Sequence, residues 1–186
     1  MDSQGKQARF AREVLPHLDA AYNLARWLLR NPTDAEDVAQ EACLRAFRYF
    51  DEFRGGDAKP WLLAIVRNTS FTWLARRKRD NAAEPFDEAV HGADASVAVD
   101  FARSPATPEE ELLRAAERET VHRSLAGLPL EFREVVVLRE LEGLSYREIA
   151  AVVDIPLGTV MSRLARGRVL LHQALTAGRA REAQVG

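Results

Sequence analysis

The sequence predicts an all-α protein made of two small helical domains joined by a flexible linker. Apolar residues recur at helical spacing in both halves of the 186-residue chain, and no stretch alternates convincingly as a strand. Charge then divides the chain: residues 1–79 hold 14 Lys/Arg against 10 Asp/Glu, residues 80–111 one against nine, and residues 112–186 eleven against nine. Two weakly basic blocks around an acidic strip indicate two domains that face nucleic acid and a connection that avoids phosphate.

The composition argues against several classes of protein. Cys43 is the only cysteine, so no disulfide framework is available, and the four histidines lack the spacing of a metal site. The N-terminus has no apolar signal core, and no apolar run approaches membrane-spanning length. We find no paired carboxylates or other catalytic constellation. We therefore expect a cytoplasmic protein that inserts into no membrane, needs no metal or cofactor and is not an enzyme.

The first domain, residues 1–79, is predicted to begin with a helix over residues 8–29 that bends at Pro16. Its spacing predicts a buried face of Phe10, Val14, Leu18, Tyr22, Ala25 and Leu29. Asn31-Pro32 ends this helix, because proline has no amide to continue it.

A second helix is predicted to open at Thr33, which forms a capping box with Glu36, and to extend to about residue 50. Four of its residues are predicted to point inward: Val38, Ala42, Ala46 and Tyr49. The opposite face carries Asp34, Asp37, Gln40, Glu41 and Arg45. On pattern alone, such a face is most simply a solvated one.

The third helix, residues 59–79, is the most unusual element of this half. Its second part interleaves aromatic and basic side chains with no acid among them, a pattern that suits single-stranded nucleic acid because bases stack on rings. The alternative places Phe71 and Trp73 in the core and leaves the basic run as a solvated helix end. The preceding loop contains Gly55-Gly56, which either brings backbone close to a ligand or makes a plain turn.

Residues 80–111 are rich in Ala, Asp, Glu and Pro and are predicted to be a flexible tether with at most transient helix. Their acidity raises a second interpretation, in which the strip mimics nucleic acid. The second domain, residues 112–178, follows with helices near residues 108–125, 130–141, 145–153 and 157–177, and residues 179–186 form a tail that frays from Gly178 onward. Its predicted core consists of Leu112, Ala116, Leu125, Phe132, Val135, Val136, Leu138, Ile149, Val160 and Leu164.

The last two of these helices form a helix-turn-helix pattern. Ser145 and Glu148 make a capping box, and Pro156 breaks the chain before the second helix of the pair. The first of the two helices is predicted to bury Tyr146, Ile149, Ala150 and Val153. The second presents Thr159, Ser162, Arg163 and Arg166 on the side opposite its apolar residues. Hydroxyls and guanidinium groups near a helix N-terminus are what a major-groove reader needs, although an ordinary helical hairpin with solvated arginines fits the pattern too.

Taken together, the residues resemble a known family, the extracytoplasmic-function sigma factors of bacterial RNA polymerase in the sigma-70 family. The segment LPLEFREVVVLRELEGLSYREIAAVVDIPLGTVMSRLARGR resembles their region four, and DAEDVAQEACLRAFRYFDEFRGGDAKPWLLAIVRNTSFTWLARRKR resembles their region two. Two matched blocks in the right order are far more specific than either alone. The resemblance implies a factor that binds core RNA polymerase and directs promoter recognition and melting, with an anti-sigma factor as a further partner.

The resemblance also implies roles for three sets of residues. The upstream surface, Thr159, Ser162, Arg163 and Arg166, would read the minus-thirty-five element of promoter DNA. The downstream surface, Arg54, Asn68, Phe71, Thr72, Arg76 and Arg77, would capture the melted minus-ten element. The polymerase surface, Asp34, Asp37, Gln40 and Glu41, would dock on the clamp helices of the largest polymerase subunit, which replaces the solvated-face interpretation.

The runner-up function is a stand-alone helix-turn-helix regulator. Such a protein needs a dimer interface or ligand pocket to set half-site spacing, and the sequence contains neither a spare apolar helix nor a sensor domain. A sigma factor faces a different constraint, since its two promoter elements lie about 70 Å apart while a linker of this length averages about 30 Å end to end. We expect that the free chain does not hold its two readers at promoter spacing.

Overall fold

The computed structural model describes residues 3–83 and 107–185, and these residues contain helices and no strand. Eight α-helices follow one another: α1 Ser3–Glu13, α2 Leu18–Leu29, α3 Pro32–Tyr49, α4 Ala58–Ala83, α5 Pro108–Ala126, α6 Leu130–Val136, α7 Tyr146–Val153 and α8 Leu157–Val185. The prediction of an all-α chain with two helical domains is confirmed. None of the helices in the described ranges is long and apolar enough to cross a membrane.

The predicted first helix is in fact two helices, α1 and α2, and the single bent helix was wrong. A 3₁₀ turn, Leu15–His17, separates them and places Pro16 in its first turn. Proline lacks the amide that an unbroken helix needs at this point, so the chain turns instead of bending. Leu18, predicted to be buried, starts α2 and is 36% exposed, whereas Phe10, Val14, Ala25 and Leu29 are buried as predicted and Tyr22 is half-buried.

Helix α3 begins two residues earlier than predicted, because its N-cap is Asn31, and the Thr33 capping box was wrong. Asn31 is the N-cap, with its side-chain oxygen accepting a hydrogen bond from the Asp34 amide at 3.0 Å. Pro32 occupies the first helical position, where its missing amide costs nothing. Val38, Ala42 and Ala46 are buried as predicted, but Tyr49, expected to point inward, is 49% exposed.

The core of the first domain lies between α2, α3 and α4. Aromatic rings close one end of it, beneath the loop that joins α3 to α4. Phe10 meets Phe47 and Phe50 edge-on at 5.1 and 5.2 Å, and Phe53 lies 5.0 Å from Trp61. This cluster fixes the start of α4 and therefore the direction of the side chains along it.

In the second domain, α6 and α7 pack on α8, and α5 lies along α8 as well. The helix predicted over residues 130–141 is α-helical only as far as Val136. Its remaining residues form a π-helical segment, Val137–Leu141. Most of the predicted core is buried, but Phe132 is half-buried, Ala116 is exposed and the Leu112 side chain falls outside the described part. Helix α8 continues to Val185, beyond Gly178, from which the tail was predicted to fray.

Helix α4 extends into the expected tether, residues 80–111, while α5 begins within it at the position where a helix start was predicted. The first residues of the expected tether continue α4 to Ala83, and its last ones begin α5 at Pro108. Residues 84–106, on which the prediction of flexibility mainly rests, lie outside the described residues.

The two domains are in contact. Helix α7 packs on α4, and α2 packs on α6 and on the π-helical segment. Trp27 of α2 lies against His122 of α5, with ring centroids 4.7 Å apart. The two candidate DNA-reading domains are thus side by side.

Candidate nucleic-acid interfaces

The helix-turn-helix is built as its capping residues predict. The Ser145 hydroxyl accepts a hydrogen bond from the Glu148 amide at 3.3 Å, and the Glu148 carboxylate accepts one from the Ser145 amide at 2.7 Å, which confirms the capping box. Asp154 ends α7 in the left-handed conformation, with φ of 57°. The Pro156 carbonyl then accepts the amide of Thr159, which starts α8 in a new direction.

Two members of the upstream surface point into solvent from the N-terminal half of α8. Arg166 is exposed and forms no ion pair with another described residue, and Ser162 is exposed and donates a hydrogen bond to the Thr159 carbonyl at 3.0 Å. Thr159 is half-buried. This face leaves an arginine fork and a hydroxyl accessible at the position from which a recognition helix reads base edges.

Arg163 differs from its neighbour Arg166 although the two share one side of the helix. Its guanidinium lies 3.5 Å from Glu131 and 3.5 Å from Glu134, and its side chain is 24% exposed. Both carboxylates belong to α6, which packs on α8. In this conformation Arg163 is held by the protein and not presented to DNA.

Five members of the downstream surface, all except Arg54, lie on α4. Asn68, Thr72 and Arg76 are four residues apart and form an exposed row along the helix. Phe71 beside them is half-buried and packs against the core, with the Arg67 guanidinium 4.5 Å from its ring centroid. The row and the ring together provide hydrogen-bonding groups next to an aromatic surface, as single-stranded nucleic acid requires.

Arg54 lies in the loop before α4. Phe53 anchors the loop in the aromatic cluster, and Gly55 and Gly56 turn it with φ of 89° and 95°. Such φ values favour glycine, so both glycines are needed for the turn. Asp57 then accepts the Lys59 amide at 2.9 Å and starts α4, which leaves Arg54 exposed at the tip.

The polymerase surface and the downstream surface share a groove of about 430 Å³ between α3 and α4. Asp37, Gln40 and Glu41 are exposed along α3, and Thr72 and Arg76 line the facing wall. The Trp73 ring also lines this groove. It is half-buried and packed against the core, and its Nε1 is buried with no hydrogen-bond partner among the described residues.

Two of the predicted site residues form an ion pair with each other. Arg77 of the downstream surface donates a hydrogen bond to Asp34 of the polymerase surface, across α4 and α3. Both side chains are half-buried. They therefore hold the two helices together in this conformation.

Sequence reasoning missed the charged residues at the contact between the domains. Arg67 of α4 pairs with Glu134 of α6, and Lys59 pairs with Glu142. The partners are 67 and 83 residues apart in the chain. Spacing along one helix carries no signal for such pairs, and no acid lies close to Arg67 in the sequence to suggest one.

Comparison with known proteins agrees with this geometry. The family described as Sigma-70 region 2 matches residues 14–80, and that described as Sigma-70, region 4 matches residues 118–171. The RNA polymerase sigma-H factor of Pseudomonas aeruginosa is 37% identical over 175 residues, which cover 92% of this chain and 89% of the relative. The ECF RNA polymerase sigma-E factor of Escherichia coli K12 is 39% identical over 138 residues, covering 73% of this chain and 70% of the relative.

Two solved structures of sigma factors are similar in fold. The sigma factor RpoE of Bartonella quintana, solved with the anti-sigma factor NepR, has a TM-score of 0.66 at 26% identity, with 90% of this chain and 97% of that chain covered. CnrH, solved with the cytosolic domain of CnrY, has a TM-score of 0.59 at 26% identity, with 92% and 90% covered. With a region-two bundle, a region-four helix-turn-helix and relatives of this similarity, the chain belongs to the extracytoplasmic-function sigma factors of the sigma-70 family.

Proposed function

We propose that this chain joins core RNA polymerase and directs it to promoters, reading the minus-thirty-five element as duplex and the minus-ten element after the strands separate. The observation that carries the proposal is the presence of both sigma regions, in order, in one chain. The runner-up, a stand-alone helix-turn-helix regulator, does not account for the region-two domain. The relatives are RNA polymerase sigma factors.

The upstream surface acts through α8. Arg166 and Ser162 reach base edges and phosphates in the major groove, and Thr159 supports them near the helix N-terminus. Arg163 joins them only when its guanidinium leaves Glu131 and Glu134. Arg166 is therefore the main source of upstream sequence preference in this chain.

The downstream surface acts on unpaired bases. Unstacking a base costs a few kcal/mol, and stacking together with hydrogen bonds in a pocket offsets that cost. The exposed row Asn68, Thr72 and Arg76 supplies the polar contacts along α4, while Phe71 supplies an aromatic edge. Arg54 follows the phosphates, and Arg77 does so only when its guanidinium leaves Asp34.

The polymerase surface docks on the clamp helices of the largest subunit. Asp37, Gln40 and Glu41 are exposed on α3, and Leu44, one turn further on, is 59% exposed beside them. An acidic row next to an accessible leucine suits a partner that offers basic side chains around an apolar position. Asp34, at the end of the polymerase surface, pairs with Arg77 of the downstream surface and so links the two surfaces.

The proposed role requires neither catalysis by this chain nor a cofactor, because the polymerase synthesises the RNA and the factor selects the promoter at which synthesis starts. It is carried out in the cytoplasm, where the polymerase and promoters are. An anti-sigma factor is the proposed regulator, since both similar sigma factors were solved as complexes and the partner in one of them, NepR, is an anti-sigma factor.

Co-migration with purified core polymerase in gel filtration tests the proposal. The wild-type chain is expected to co-migrate, and Asp37→Arg is expected to weaken the association at least about tenfold, as for a charge reversal at an electrostatically matched surface. Glu36→Arg is the matched control, because Glu36 is an exposed neighbour on the same helix outside the polymerase surface. Failure of the wild-type chain to co-migrate would remove the sigma function, and equal weakening by both variants would remove the assigned surface.

A further inference from the structure

The contact between the two domains contains two ion pairs, both with carboxylates that are withdrawn from water. At the start of α4, Lys59 Nζ lies 3.0 Å from the Glu142 carboxylate and also donates a hydrogen bond to the Glu142 carbonyl at 2.7 Å. The Glu142 side chain is 5% exposed. A carboxylate in this setting depends on its partner, because the free energy of desolvation is not recovered without one.

The second pair is more deeply buried and more specific in geometry. Arg67 Nε donates to Glu134 Oε2 at 2.8 Å, and Arg67 Nη2 donates to Oε1 at 3.4 Å, so the guanidinium fork meets both carboxylate oxygens. The Glu134 side chain is 3% exposed and that of Arg67 is 17% exposed. This is the arrangement in which an arginine binds a phosphate or a carboxylate with two parallel hydrogen bonds.

The same carboxylate also faces the recognition helix. Arg163 Nη1 lies 3.5 Å from Glu134 Oε1. Glu134 therefore lies between two guanidinium groups, one next to Asn68 and Phe71 of the downstream surface and one within the upstream surface. One carboxylate therefore interacts with an arginine from each of the two DNA-reading domains.

We propose that Glu134 is an internal substitute for phosphate that latches the two domains together in the free chain and withholds Arg67 and Arg163 from DNA. Opening the latch exposes the Arg67 guanidinium, which becomes an additional phosphate contact beside the downstream surface. Arg163 stays in the same domain as Glu131 and Glu134, and it leaves them only when its own side chain turns toward DNA. The inference rests on the proposed function for its biological meaning, but the latch itself is a property of the free chain.

The contact is also built so that it can open. Arg133, next to Glu134, is buried and donates hydrogen bonds to the carbonyls of Ala126 and Leu128. Burial, together with the positive charge of Arg30 just after α2, lowers the pKa of Arg133 to about 10. A like charge on the other domain opposes the two attractive pairs, and separation of the domains relieves it.

Small-angle X-ray scattering of the full-length chain, without polymerase, tests the latch. The wild type is expected to have a radius of gyration near that of a compact chain of its length, about 16 Å. Glu134→Gln keeps the shape of the side chain but removes its charge, and it is expected to make the open form the major one and so raise the measured radius of gyration by about 5 Å. Arg67→Gln removes the partner of Glu134 on the first domain and is expected to raise the radius of gyration by a similar amount.

Glu140→Gln is the matched control. Glu140 lies on the π-helical segment and pairs with Arg168 at 2.7 Å within the second domain, so its loss changes the net charge equally without touching the latch. It is expected to stay compact. Circular dichroism should show wild-type helix content for all three variants.

Fluorescence anisotropy with a labelled 20-base-pair duplex of mixed sequence measures the withheld arginines. Glu134→Gln is expected to bind at least about tenfold more tightly than Glu140→Gln at the same salt concentration. A wild type already open, or Glu134→Gln and Arg67→Gln as compact as the control, would overturn the latch, and equal duplex binding by both glutamine variants would overturn the withholding of the arginines. Neither readout needs polymerase, so a working latch in a chain that fails to join polymerase would refute the proposed function alone.

Discussion

Gly167 lies where α8 crosses α6, and there is no room for a side chain at this position. A Cβ atom there would lie 2.7 Å from the Val136 side chain and 3.5 Å from that of Phe132. Val136 is fully buried and branched, so it has little freedom to move away. The close approach sets the angle at which the recognition helix leaves the domain.

Gly167→Ala is therefore expected to lower the free energy of unfolding of the second domain by about 1–3 kcal/mol, as for overpacking in a closed core. Denaturant unfolding followed by circular dichroism measures it. Gly158→Ala is the control, since nothing lies within 4 Å of a Cβ at that helical position, and it is expected to be neutral or slightly stabilising. Equal effects of the two substitutions would show that the crossing has room to spare.

Helical spacing alone predicted which way most site residues face, and it was right where only one helix matters. Arg166 is exposed on the side of α8 that its spacing predicted. Arg163 has the same direction as Arg166 on α8, but α6 brings Glu131 and Glu134 to it. A period gives the direction of a side chain and carries no information about the charges that another helix places there.

At the scale of elements, helix starts followed local chemistry, but two signals competed before α3. Asn31 and Thr33 can both cap a helix, and a glutamate three residues after Thr33 favoured the wrong one. Pro32 decides between them, because it is best placed in the first turn and so moves the cap to Asn31. At Ser145 no second candidate competes, and the predicted capping box forms.

Asn31→Ala is expected to destabilise the first domain by about 1 kcal/mol through loss of the cap on α3. Thr33→Ala is expected to have little effect, since Thr33 is exposed within the helix and its hydroxyl caps nothing. Thermal unfolding of the two variants compares them directly. A larger loss for Thr33→Ala would return the cap to the position that the sequence pattern suggested.

At the scale of the whole molecule, the sequence predicted two DNA-reading domains but not how they meet. Composition indicates that both blocks are basic, which would suggest mutual repulsion, yet Glu134 and Glu142 on the second domain meet Arg67 and Lys59 on the first. Such pairs depend on the packing of α7 on α4, which no local pattern encodes. The side-by-side arrangement agrees with the expectation that the free chain does not hold its readers at promoter spacing.

Sequencing the transcripts made in vitro by core polymerase with this chain tests the sigma function most directly. The predicted result is a set of start sites preceded by two shared sequence elements, from which Arg166→Ala removes preference only at the upstream element, at a cost of about 1–3 kcal/mol. Arg114→Ala, which alters an exposed arginine on α5, is expected to leave the profile unchanged. Start sites no different from those of core polymerase alone would contradict the function, and a profile unaltered by Arg166→Ala would contradict the assignment of the recognition helix.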